Sequence, residues 1–198
     1  RINNNNPQAF PHLESLRKAL FANEYDSALA IAEQNFIGTP PEVRSYQPLG
    51  NLQIDYQWPV KPVAYHRELD LHTGIATTRF VVNGTKITQQ VFASAPDNCL
   101  VVVLESNGKS GINATLNLTR AQDARTIATA DGSLQLQGQI IDVEDPKKGP
   151  GGAHMRFAGA LKVKLDKGSL SADGKLLKIR NAGRVLILLT AATDYQLE

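Results

Sequence analysis

Polar and apolar residues alternate along most of the chain after Gly50, and this period of two predicts half-buried β-strands. The alternating or apolar runs are LQIDY, YHRELDL, IATTRFVV, KITQQVFAS, CLVVVLES, GINATLNLT, SLQLQGQIIDV, MRFAGALKVKL, LLKIRN and RVLILLTAAT. Turn sequences such as Asn83-Gly84, Asn107-Gly108 and Asp131-Gly132 separate the runs and are strong hairpin signals. Because the runs recur roughly every ten residues, they favour an antiparallel sandwich over a parallel sheet.

The first part of the chain has a helical period instead. Apolar residues fall on one side of each of two successive segments. We expect five of their side chains to be buried: Leu13, Leu16, Leu20, Leu29 and Phe36. Asp26 is a suitable N-cap for the second segment, and Gly38 follows that segment as a stop signal. The pattern therefore predicts a helical hairpin over about residues 7–36.

These elements together predict a mainly β protein, an antiparallel β-sandwich over about residues 50–195 that follows the hairpin. A length of 198 residues suits one domain, so we expect a single domain over 1–198. The net charge of +2 gives no reason to expect a nucleic-acid partner. No apolar run approaches the ~20 residues of a membrane span. The single cysteine, Cys99, excludes an internal disulfide.

Candidate catalytic and metal-binding groups are sparse. Glu68 and Asp70 lie two apart on a predicted strand and share a face, as paired carboxylates of a glycosidase can, but a solvated strand edge explains them better. His66 and His72 have the closest spacing among the four histidines, and a zinc site needs three or four converging ligands. We therefore nominate no catalytic residue, no metal ligand and no cofactor.

Aromatic and amide side chains cluster around the Pro/Gly turns between Tyr46 and Tyr65. Exposed aromatic residues and amides are suited to contacts with sugars. We nominate Tyr46, Gln47 and Trp58 as residues near a substrate or a domain interface. An alternative for Trp58 is a packing role at the end of a strand, and an alternative for Tyr46 and Leu49 is that they cover the end of the sandwich core.

Several motifs occur in a fixed order along the chain: the helical hairpin, YQPLGNL, YHRELDLHTGIATTRF, VFASAPDN and the closing LILLTAATDY. In this combination the chain resembles the amino-terminal β-sandwich domain, of super-sandwich type, of glycoside hydrolase family 95, the α-L-fucosidases. The resemblance runs from about residue 3 to Tyr195. It implies that the chain is one domain of a larger protein whose catalytic α/α barrel is not part of this sequence.

The resemblance also implies the activity of the parent protein: inverting hydrolysis of terminal α-1,2-linked L-fucose from fucosylated oligosaccharides. The catalytic residues of that family belong to the barrel, so we expect this chain alone to be inactive, with the barrel of the same polypeptide as its partner. A periplasmic or secreted bacterial location is implied by the family. Two alternatives stay open: a free-standing carbohydrate-binding module, and the sandwich domain of a related α/α-barrel hydrolase or phosphorylase.

Overall fold

The computed structural model describes residues 5–196, which form two helices and twelve strands. The helices are α1 (Ala9–Phe21) and α2 (Tyr25–Asn35). The strands are β1 (Asn51–Tyr56), β2 (Val63–Asp70), β3 (Ile75–Val82), β4 (Thr85–Ser94), β5 (Cys99–Ser106), β6 (Ile112–Thr119), β7 (Ala124–Thr129), β8 (Ser133–Asp142), β9 (Gly152–Leu165), β10 (Ser169–Asp173), β11 (Leu176–Ala182) and β12 (Arg184–Thr193).

The strands form two antiparallel sheets of unequal width. The small sheet has four strands in the order β1-β6-β11-β10, and the large sheet has eight in the order β2-β3-β4-β5-β12-β9-β8-β7. The predicted mainly β, sandwich-like fold with an amino-terminal helical hairpin is confirmed. All ten predicted strand runs are strands, while β7 and β10 were missed.

A single apolar core lies between the sheets. On β6 every second residue is buried, from Ile112 to Leu118, and β11 contributes Leu177 and Ile179 from the same sheet. The large sheet contributes among others Leu104 and Ile187, neither of which has any exposed surface. The alternation read from the sequence therefore places one face of each strand in this core.

The turn residues have two distinct uses. Asn83 and Gly84 both have positive φ, +47° and +74°, and they join neighbouring strands β3 and β4 through a two-residue loop. This is the geometry that favours Asn-Gly in a hairpin. Asn107-Gly108 was also read as a hairpin signal, but it joins β5 of the large sheet to β6 of the small sheet. Asn107 is exposed and Gly108 is half-buried in this connection, where turn formers are favoured whether or not the flanking strands pair.

The chain divides into two compact units. One contains the residues up to 47 together with 141–153, and the other contains 48–140 together with the residues from 154 onward. The sandwich core belongs to the second unit. The expectation of a single domain stays a prediction.

The helices of the first unit differ from their predicted packing. Of the five side chains expected to be buried, Leu20 and Leu29 are exposed (46% and 58%), while Leu13, Leu16 and Phe36 are half-buried. The buried helical residues are Ala19 and Ala28. A helical period shows that one face is apolar, but two helices enclose too little volume to bury many large side chains. The prediction of Asp26 as the N-cap of α2 is also wrong, because α2 begins at Tyr25 and Asp26 lies in its first turn.

The sandwich core provides a direct test of the fold. Leu116 has no exposed surface and lies at the centre of β6, so Leu116→Ala should lower the free energy of unfolding by about 2–5 kcal/mol. Leu71→Ala is the matched control, because Leu71 is 87% exposed and should change stability by less than about 0.5 kcal/mol. Urea unfolding followed by circular dichroism measures both. Equal effects of the two substitutions would contradict the described core.

Candidate functional site

The chain between the helices and β1 is held by one arginine. Arg44 forms an ion pair with Asp142, with Nε 3.3 Å from Oδ2. Its Nη2 donates to the carbonyl oxygens of Val143, Gly149 and Pro150 at 3.2, 3.0 and 3.0 Å. Gly149 and Pro150 belong to the segment DPKKGPGG (residues 145–152), which is thus attached through its own main chain to the segment before the sandwich.

Tyr46 and Gln47 lie two and three residues after Arg44 in the chain. Both side chains are exposed, and Tyr46 is fully so. Immediately afterwards the chain enters the sandwich unit, where Leu49 packs against the core and the guanidinium of Arg120 donates to the carbonyl oxygen of Pro48. The alternative that Tyr46 and Leu49 cover the end of the sandwich core therefore applies to Leu49 but not to Tyr46.

Trp58 lies in an aromatic cluster within the sandwich unit. Its ring stacks on Tyr56 with a centroid separation of 4.4 Å and meets Phe80 edge-on at 4.6 Å. Tyr65 stacks on the same Phe80 at 6.3 Å. Trp58 is half-buried and packs against the core, so its position fits the packing role that the sequence left open. The structure brings together Tyr56, Trp58 and Tyr65, whereas Phe80 was not singled out in the sequence.

Tyr56 supplies the polar anchor of this cluster. Its hydroxyl donates to Oε1 of Gln89 at 2.8 Å. Burial raises the pKa of Tyr56 well above its ordinary value of 10.0, because the charged phenolate would lose its hydration there. Gln89 lies on β4 of the large sheet and has no sequence motif, whereas Tyr56 lies on β1 of the small sheet, so only the packing of the two sheets could place them together.

The carboxylates considered for catalysis lie on β2, at one edge of the large sheet. Glu68 binds Arg79 (Oε1 to Nη1, 2.5 Å) and is 3.3 Å from Nε2 of His66. Hydrogen bonding to Arg79, followed by that to His66, lowers the pKa of Glu68. Asp70 accepts from the backbone N–H groups of His72 and Thr73, which lowers its pKa too. Each carboxylate accepts hydrogen bonds from nearby groups on or beside an exposed strand. This arrangement is what we expect of carboxylates at a solvated strand edge.

Other site types can be assessed for residues 5–196. That part of the chain contains no group of three or more His, Cys, Asp or Glu side chains arranged to hold a metal ion. Within the same residues, neither helix has the length and apolar character needed to cross a bilayer.

The buried hydroxyl of Tyr56 can be tested by removing it alone. Tyr56→Phe should lower the free energy of unfolding by about 1 kcal/mol, because Oε1 of Gln89 loses its donor. Tyr65→Phe is the control, since Tyr65 is 58% exposed and loses no buried partner. Urea unfolding measures both variants. Stability unchanged in Tyr56→Phe would contradict the hydrogen bond.

Comparison with known proteins now identifies the domain. Over residues 1–198 the chain matches the family described as "Glycosyl hydrolase family 65, N-terminal domain". "Probable alpha-fucosidase A" of Aspergillus niger is 30% identical over 132 residues, covering 66% of this chain and 16% of that protein. "Alpha-L-fucosidase 2" of Arabidopsis thaliana is 23% identical over 212 residues, covering 96% of this chain and 24% of that protein.

A solved chain from the human microbiome, whose description names a kojibiose phosphorylase, has 13% sequence identity and a TM-score of 0.39. The matched region covers 72% of this chain and 22% of the solved chain. The resemblance to the amino-terminal domain of fucosidases is confirmed by the two curated relatives, of which this chain spans at most about a quarter of the length. The chain thus belongs to the family of amino-terminal domains of glycosyl hydrolase family 65.

Proposed function

We propose that this chain is the non-catalytic amino-terminal domain of an α-L-fucosidase of glycoside hydrolase family 95, which removes terminal α-1,2-linked L-fucose from glycans with inversion. The family match and the two fucosidase relatives support this assignment. The chain corresponds to only 16% and 24% of those relatives, which leaves most of each relative to supply other domains. Under this proposal the partner is the catalytic α/α barrel of the same polypeptide, and the substrate is a fucosylated oligosaccharide.

The direction of the carboxyl pKa shifts is the observation that carries the non-catalytic part of the proposal. A glycosidase needs a carboxylic acid that stays protonated near neutral pH, and this requires a raised pKa. Among residues 5–196, every carboxyl group whose pKa shifts has its pKa lowered: Glu68, Asp70, Asp131, Asp145, Asp166 and Asp173. These groups accept hydrogen bonds from cations or backbone N–H groups, which stabilise the ionised form. They are therefore poor proton donors to a leaving group.

A role in positioning the barrel follows for Tyr46. A fully exposed aromatic ring next to a segment fixed by Arg44 is a suitable contact for another domain, since interface anchors are often aromatic and rigidly held. Gln47 adds an amide donor and acceptor at the next position. Trp58 is assigned to the sandwich interior on the packing described above. The bacterial origin and the periplasmic or secreted location remain predictions from the resemblance.

The catalytic part is tested by separating the domain from its parent. The 198-residue chain should release no L-fucose from 2'-fucosyllactose, whereas the longer polypeptide encoded with it should do so. Glu68→Gln and Asp70→Asn in the longer protein are the controls, and both should leave kcat within about twofold because neither group can serve as the acid. Release of fucose by the isolated chain, or loss of turnover when either substitution is made in the longer protein, would overturn the non-catalytic assignment. Inactivity of the longer protein on fucosides would overturn the fucosidase assignment.

The positioning role of Tyr46 has a separate test. Tyr46→Ala should leave the stability of the isolated chain within about 0.5 kcal/mol of wild type, since the ring is fully exposed. In the longer polypeptide it should lower the thermal midpoint, because an interface anchor is removed. Tyr25→Ala is the matched control, an aromatic truncation at a 64% exposed helical position. Equal thermal midpoints for the longer wild-type protein and its Tyr46→Ala variant would contradict the proposed interface role of Tyr46.

A further inference from the structure

An open cleft of about 510 Å³ lies in the sandwich unit, and its lining includes no member of the aromatic cluster. It is formed where the chain passes between the sheets three times: β5 to β6, β9 to β10, and β11 to β12. The lining residues come from these connections, from the ends of β5 and β12 beside them, and from β4. Loops gathered at one end of a sandwich are a common location for binding sites, because the sheets hold them rigidly.

The carboxylates that line the cleft are already engaged. Oδ1 of Asp166 accepts from the backbone N–H groups of Lys167, Gly183 and Arg184 at 2.7, 3.0 and 2.7 Å. This one side chain therefore joins the β9–β10 connection to the β11–β12 connection. Glu105 forms an ion pair with Arg184, with Oε1 3.2 Å from Nε. Both anions thus organise the wall of the cleft.

Two lysines complete the lining and leave it with excess positive charge. Lys86 is fixed through its backbone N–H, which donates to Oδ1 of Asn107 at 2.8 Å. Within residues 5–196 the ammonium groups of Lys86 and Lys167 make no ion pair. The lining therefore has three cationic and two anionic side chains, a net charge of +1.

The remaining lining groups are hydroxyls and an amide, those of Thr88, Ser106 and Asn107. No aromatic ring lines the cleft, so a sugar here would be held by hydrogen bonds and charge rather than by stacking. A volume of several hundred Å³ is in the usual range for small-ligand sites. Such a lining matches a ligand with several hydroxyls and one negative charge.

We propose that this cleft binds a sugar acid, with its carboxylate between Lys86 and Lys167 and its hydroxyls on Ser106 and Asn107. The choice of a saccharide rests on the proposed function in glycan hydrolysis. The choice of an anion rests on the charges of the cleft alone. Such a site would direct the parent enzyme towards glycans that carry uronic acids.

The test is a titration of the ¹⁵N-labelled 198-residue chain with glucuronate at low ionic strength, followed by NMR. The amides of Lys86, Asn107, Lys167 and Arg184 should shift together and saturate, and added salt should weaken binding because the attraction is electrostatic. Lys86→Ala/Lys167→Ala should weaken binding at least about tenfold. Lys109→Ala/Lys175→Ala is the matched control, two exposed lysines outside the cleft, and should bind like wild type.

Further ligands separate the possible outcomes. Glucose should cause no saturating shift, and inorganic sulfate should bind more weakly than glucuronate because it cannot reach the hydroxyl-bearing wall. No shift in the cleft with glucuronate, or equal shifts with glucose, would overturn the proposal. Sulfate binding as tightly as glucuronate would reduce the cleft to a simple oxyanion site and overturn the sugar assignment.

The salt dependence of the wild-type chain gives a second measurement that needs no variant to fold. Glucuronate binding unchanged by salt would contradict the role of the lysines. These outcomes are independent of the fucosidase assay. A longer protein inactive on fucosides would refute the proposed function while leaving glucuronate binding by this chain to be decided by the titration.

Discussion

Burial of apolar side chains between two sheets of unequal width is the constraint on which the sandwich unit depends. The small sheet covers the inner face of part of the large one, and the fully buried residues, such as Leu104, Leu116 and Ile187, lie where both sheets contribute. β2 lies at one edge of the larger sheet and is exposed at all eight of its positions. The aromatic cluster of Tyr56, Trp58, Phe80 and Tyr65 links the buried core to this exposed strand. The core therefore determines where polar and aromatic groups remain accessible.

The connections between the sheets follow from the same constraint. A chain that leaves one sheet for the other loses its ladder hydrogen bonds, and the freed backbone groups must find new partners. Asp166 satisfies three backbone N–H groups in these connections, and Asn107 satisfies the N–H of Lys86. With these side chains used as structural acceptors, Lys86 and Lys167 line the same cleft and form no ion pair among residues 5–196. A polar cleft is thus a consequence of how the crossings are stabilised.

The perturbed carboxyl groups of the chain serve its local structure. Its perturbed carboxyl groups are stabilised in the ionised form, while proton donation in a glycosidase needs the opposite shift. Arg44 is likewise used for structure, since its guanidinium binds one carboxylate and three carbonyl oxygens of a surface loop. Tyr46, two residues after Arg44 in the chain, is fully exposed.

The sequence by itself determined the element types, because the periods of two and 3.6 residues are local properties of the chain. It predicted ten strands and both helices, and it missed β7 and β10, which lie at sheet edges and have weak alternation in ARTIAT and SLSAD. An edge strand pairs on one side only and needs less apolar patterning. Tertiary structure alone decided that Leu20 and Leu29 are exposed, that Gln89 meets Tyr56, and that Asp166 joins two distant turns. Each of these depends on residues brought together by strand order, by the packing of the two sheets or by helix packing, which local periodicity does not specify.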